Sequence, residues 1–229
     1  MSAALGFLED IKRHPDDDAP RLIFADWLDE HGDPRGELIR VQCALDRLPA
    51  GDARRDALLR RERDLLLAHA QAWLGPLALA GGRWSFRRGL LCLEMDAGEG
   101  GVRRLAAPAR SEAYRWVESV RVSGLRPRSL AALVASPLLD GPTALDLSNT
   151  PLGPGAGATL AEAPALARLT RLHLWNTLLG DEGARALAAS PNLGGLTRLD
   201  MMANAEIDEP GWRALRKRYG PALVAPAGR

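Results

Sequence analysis

Apolar residues recur at helical spacing through roughly the first 70 positions of the chain. Leu5, Leu8 and Ile11 share one face, and His14-Pro15 ends that run because the residue before proline is pushed out of the helical region. Asp18 is placed to cap a second helix, with Pro20 in its first turn, where a missing N–H costs little. Leu22, Ile23 and Trp27 form the expected buried face of that helix, and Gly32 its stop. Asp33-Pro34 opens a third helix with Leu38, Val41, Leu45 and Leu48 inward. After the Pro49–Asp52 turn, Arg54 to Ala70 reads as a long, charge-rich helix resting on Leu58, Leu59, Leu65 and Leu66. The pattern then changes period. Trp84-Ser-Phe86 and Leu91 to Met95 alternate, and read as short strands on either side of Arg88-Gly89.

The second half repeats itself. Pro142-Thr-Ala-Leu-Asp-Leu-Ser-Asn-Thr-Pro-Leu-Gly153 aligns with Leu169-Thr-Arg-Leu-His-Leu-Trp-Asn-Thr-Leu-Leu-Gly180, and again with Leu196-Thr-Arg-Leu-Asp-Met-Met-Ala-Asn-Ala-Glu-Ile207. The period is 27 residues, from Leu145 to Leu172 to Leu199. A helical register follows each strand, at Leu133, Leu160, Leu187 and Leu215, and the last interval is 28 because one residue is added near Ala205. Val120-Arg-Val122 reads as a degenerate strand ahead of the three. Strand alternation turns Leu145 and Leu147 inward and Asp146 and Ser148 outward. Outward positions then line up across the repeats as Ala144–Arg171–Arg198, Asp146–His173–Asp200 and Ser148–Trp175–Met202.

Composition limits what such a chain does. It has 229 residues, 30 basic and 29 acidic groups, a net charge of +1 and 46% apolar residues. That is too apolar and too balanced for a disordered chain, and it lacks the basic face of a nucleic-acid binder. No apolar run approaches the length of a membrane span, and the N-terminus has neither the basic region nor the apolar stretch of a secretory signal. Two cysteines, Cys43 and Cys92, make no disulfide framework and no zinc-type cluster. A cytoplasmic protein with no cofactor is expected. All basic residues except Lys12 and Lys217 are Arg, which together with the Ala, Gly and Pro content reads as a GC-rich genome. The charge is uneven: residues 1–50 carry −5, 51–110 carry +4 and 111–229 carry +2.

Two resemblances sit on these residues. The L-x-x-L-x-L-x-x-(N or T)-x-L repeat resembles leucine-rich repeats of the ribonuclease-inhibitor type. The likeness implies a parallel sheet on a concave side and helices on the convex side, with Thr150, Thr177 and Asn204 bonding to backbone at the bend after each strand. Phe7-Leu-Glu-Asp-Ile11 and the run from Asp16 to Leu45, which includes Phe24-Ala-Asp-Trp-Leu-Asp-Glu-His-Gly-Asp-Pro-Arg35, resemble the bacterial repeat-companion domain, which commonly precedes such repeats and carries no known activity. The expected fold class is therefore α/β: an N-terminal helical domain over residues 1–75, a strand-rich connector over 76–116, and a short leucine-rich-repeat α/β solenoid with parallel strands over 117–229, sealed by Trp212, Leu215 and Tyr219.

Candidate chemistry is sparse. Asp16, Asp17 and Asp18 are consecutive and followed by no ligand loop, so helix termini and ion pairs explain them better than a metal. None of the four histidines accompanies a nucleophile motif, and Gly153-Pro-Gly-Ala-Gly157 lacks the Lys-Ser/Thr ending of a phosphate loop. No catalytic residue and no metal ligand is expected. The outward stripes differ, because Trp175 and Met202 have no structural reason to face solvent and are types enriched at binding patches. With Arg171, His173, Arg198 and Asp200 around them they form a candidate surface for a protein partner. A second reading is a regulatory or scaffold subunit of a larger bacterial assembly, docking through the acidic N-terminal half.

Overall fold

The computed structural model describes residues 3–79, 82–98 and 112–226. Residues 80–81 and 99–111, part of the expected connector, lie outside that description. The architecture is α/β. Four helices come first: α1 (Ala3–Arg13), α2 (Ala19–Glu30), α3 (Arg35–Arg47) and α4 (Arg55–Leu74). A hairpin of β1 (Arg83–Arg87) and β2 (Leu90–Asp96) follows, then β3 (Val117–Ser123) and α5 (Leu130–Val134). The remainder alternates as β4 (Ala144–Asp146), α6 (Ala156–Glu162), β5 (Arg171–His173), α7 (Asp181–Ala189), β6 (Arg198–Asp200), α8 (Glu209–Tyr219) and β7 (Leu223–Val224). All seven strands form one sheet in chain order, antiparallel between β1 and β2 and parallel from β2 onward.

The buried stripe of α2 is Arg21, Phe24, Ala25 and Leu28, while Ile23 is 58% exposed and Trp27 sits at the core's edge. Spacing of three, four and seven makes this an ordinary helical face. Its first member is an arginine, so a reading that follows hydropathy alone starts the face late, at Leu22. Asp18 also departs from expectation. Its backbone is already helical and its carboxylate makes no cap; it turns inward to Arg47 Nε at 2.8 Å and Arg88 Nη1 at 3.0 Å. Burial raises its pKa, but the Arg88 hydrogen bond and the charges of Arg47 and Arg88 outweigh that and hold it below the ordinary value. Asp17 takes the Ala19 N–H instead. Along α4, Leu65, Ala70 and Leu74 are buried, whereas Leu59 and Leu67 face solvent.

The hairpin is pinned to these helices by its turn. Arg88 and Gly89 have φ of 45° and 84°, the left-handed pair that a two-residue turn needs to match the twist of its strands. Gly89 has no alternative, because a Cβ there would lie 2.1 Å from Ile39 Cγ1. Arg88 bears the strained conformation while its guanidinium binds Asp18 and the Pro15 carbonyl. Leu90 then packs with Leu8, Phe24, Ile39 and Trp116, and its neighbour Leu91 enters the sheet's own core.

Two buried cations join the helices to the sheet. Arg21, fully buried, directs Nη2 to Glu118 of β3 at 3.4 Å; burial lowers its pKa and Glu118 opposes the shift. Lys12 is 4% exposed and donates to the carbonyls of Arg115 and Gly141, each at 2.6 Å. Burial, with the nearby Arg168, lowers its pKa to about 7 despite Glu9.

On the sheet's inner face Leu145, Leu147, Leu172, Leu174, Leu199 and Met201 meet Leu133, Leu160, Leu187 and Leu215 of the helices, all fully buried. Burying each such side chain is worth about 1.5–3 kcal/mol. Gly157 and Gly183 let α6 and α7 touch, since a Cβ on Gly157 would fall 2.3 Å from Gly183 Cα. The bend after each strand needs a left-handed residue, supplied by Asn149, Asn176 and Ala203. Asn204 clips two bends together: its Oδ1 accepts from Thr177 N and Leu179 N, both at 3.1 Å, and its Nδ2 donates to Leu174 O at 2.8 Å. Those two converging N–H groups explain why Leu178 between them has φ 57°.

Two predictions arise. Ala in the left-handed region is unfavourable by about 1–2 kcal/mol, and Asn tolerates it, so Ala203→Asn is expected to raise the unfolding free energy by about 0.5–1 kcal/mol in denaturant titration. No gain would mean the third bend is unstrained. Lys12 gives a pH effect of definite sign. Its pKa is about 7 folded and 10.5 in the reference state, so between these values the unfolded chain holds a proton that the folded chain has released, and stability rises with pH. Burial raises the pKa values of Cys43, Cys92, Tyr114 and Tyr219, which act in the opposite direction at higher pH. Between about pH 7 and 8.5 the wild type should gain up to about 2 kcal/mol relative to Lys12→Met; parallel pH profiles would refute the assignment.

Candidate functional site

The register places the outward residues side by side. Ala144, Arg171 and Arg198 are neighbours across β4, β5 and β6, and Asp146, His173 and Asp200 form the next row. The ladder continues past the short strands: Asn149 N donates to Trp175 O at 2.8 Å and Asn176 N to Met202 O at 3.0 Å. These bonds fix the backbones of Trp175 and Met202 on adjacent repeats. Among the described residues Trp175 keeps 40% of its surface exposed, and Met202 is half-buried. Leu178, on the bend beyond Trp175, is also 40% exposed. Asn176 Nδ2 donates to Asn149 Oδ1 at 3.0 Å and forms a short polar border.

The charged positions have separate duties. Asp200 Oδ1 accepts the Met202 N–H at 3.1 Å, and Asp146 Oδ1 accepts the Ser148 N–H at 2.9 Å, so each acid shapes the turn that follows its strand. Asp146 also pairs with Arg121 Nε at 3.0 Å, which directs it away from His173. His173 Nδ1 lies 3.9 Å from Asp200 Oδ2. Arg171 reaches sideways to Glu118, 3.5 Å away. Arg198 is exposed at the far end of the stripe.

The register pairs Arg171 with Arg198 and His173 with Asp200, and the continued ladder carries Trp175 and Met202 beyond them. Sequence reasoning missed what holds them: Glu118, which serves both Arg171 and Arg21, and Arg121, which occupies Asp146. A glutamate directly after Val117 at the start of β3 was the available signal. The arrangement is an apolar centre with a mixed-charge rim. Among the described residues no three His, Cys, Asp or Glu side chains gather as a metal ion requires, and no helix is long and apolar enough to cross a membrane. Cys43 is buried and its thiol is pushed up to about 12, chiefly by burial and then by Asp18. Scanned against protein-family models the chain matches none, and no curated protein matches it.

Proposed function

We propose that this chain is a non-catalytic protein-interaction module that recognises a protein partner through the outer face of its parallel strands, centred on Trp175 and Met202. In this reading residues 117–229 are a short leucine-rich α/β solenoid and the preceding helices a repeat-companion-like unit that steadies it. The single observation that carries the proposal is Trp175, a large aromatic left 40% exposed where the backbone ladder on both sides fixes its position. Rigid aromatics of this kind dominate interface energetics because little entropy is lost when they are covered. Two unpaired thiols suit a reducing, cytoplasmic setting.

Docking through the acidic N-terminal half is less well supported. Asp18, Asp26, Asp29, Asp33 and Glu37 each already face an arginine of the same chain, so these carboxylates are engaged before a partner arrives.

Replacing both anchors, Trp175→Ala with Met202→Ala, is expected to cost a bound partner about 2–4 kcal/mol, a loss of affinity of about 30-fold or more. Quantitative affinity capture from the native host, with wild type and the double variant side by side, measures this; circular dichroism controls for folding. Identical partner lists at identical yields would contradict the proposal.

A further inference from the structure

Three of the six tryptophans line one groove that includes none of the strand-face residues. Trp27 comes from α2, Trp73 from the last turns of α4 and Trp116 from the short 3-10 segment Glu112–Trp116. The groove measures about 460 Å³. Sites for small ligands typically run from about 300 to 1,000 Å³.

The chemistry it offers follows from how the rings are already used. His31 stacks on Trp27 with centroids 3.9 Å apart, and Phe24 stacks on it at 6.0 Å. The Arg35 guanidinium carbon sits 4.0 Å over Trp116, which Phe24 also contacts. His69 stacks on Trp73, and Phe86 meets it edge-on. Each of the three rings is therefore already engaged on one side within the chain. None of the three indole N–H groups donates to another described residue. Arg35 is clamped to Asp33 through Nε and Nη2, with Nε to Oδ2 at 2.9 Å, and its Nη1 has no described partner. Asp33 is itself occupied, by that clamp and by the Arg35 backbone N–H. His31 Nδ1 donates to the Trp27 carbonyl at 2.7 Å, which leaves Nε2 as the ring's second polar atom.

Three indole N–H groups and Arg35 Nη1 are thus donors without a described partner, set among aromatic side chains. We propose that this groove binds a small aromatic carboxylate, its oxygens taking the indole N–H groups and Arg35 Nη1 and its ring lying among Trp27, Trp73 and Trp116. Glu112 is exposed at the rim and opposes an anion, so it tunes affinity rather than carrying it.

The test uses the full chain labelled with ¹⁵N, whose six indole N–H signals report separately. Benzoate and indole-3-acetate are titrated against their neutral amides, benzamide and indole-3-acetamide. The acids should shift the Trp27, Trp73 and Trp116 signals saturably and leave those of Trp84 and Trp175 in place, and the amides should bind at least about tenfold more weakly. Ala72→Glu, which adds a carboxylate at an exposed lining position, should abolish saturation, and Glu112→Gln should strengthen binding. Both changes lie at the surface, so neither depends on rebuilding the core. Equal affinity for acids and amides would overturn the proposal. So would acid-induced shifts absent from the three groove signals, or equal at all six. These outcomes leave the strand-face reading untouched, because neither substituted residue belongs to that face and Trp175 serves only as a reference signal.

Discussion

Glu118 holds the two halves of the molecule to one another. It is 6% exposed and sits between the fully buried guanidinium of Arg21, at 3.4 Å, and that of Arg171, at 3.5 Å. A buried charge in this position has no water to fall back on, and removing a partner from such a group costs about 3–5 kcal/mol. Arg21 belongs to the second helix and Arg171 to a central strand of the repeats, so one carboxylate sets both where the helices dock and where the outer stripe begins. Lys12 does similar work nearby, bridging the carbonyls of Arg115 and Gly141. Only a glycine fits at position 141, because a Cβ would collide with the Tyr114 carbonyl. The joint is polar, and that favours one docking geometry over the many that an apolar contact alone would permit.

From that anchored edge the repeats propagate by register. Each strand has only three residues in β4, β5 and β6, yet the ladder runs on through the bends to Trp175 and Met202. Inward leucines supply most of the stabilisation, while the acids after each strand, Asp146 and Asp200, spend their hydrogen bonds on local turns. The backbone that carries the exposed aromatic is consequently held by the ladder on either side. Under the proposed reading, a backbone fixed in advance lowers the ordering cost of covering Trp175.

Much of this is legible in the sequence, for a physical reason. A 27-residue period is a strong pattern because every copy must bury the same leucines, so Leu145, Leu172 and Leu199 announce the strands and their pairing. The outer stripes follow by alternation alone. What could not be read depends on charges buried at long range. The stripe of α2 begins with Arg21, which hydropathy marks as surface, and Asp18 looks like a cap until Arg47 and Arg88 are brought to it from 29 and 70 residues away. The three-tryptophan groove has the same origin: its rings come from α2, α4 and the segment before β3, and no local spacing links them.

Native-state hydrogen exchange on Glu118→Gln tests the central joint most directly, because the substitution keeps the side chain's shape and removes only its charge. If Glu118 couples the helices to the outer strand face, protection should fall in α2 and in the 171–175 segment together, by about two orders of magnitude in exchange rate. Unchanged protection in both, or loosening of α2 with the strand around Trp175 unaffected, would contradict the account.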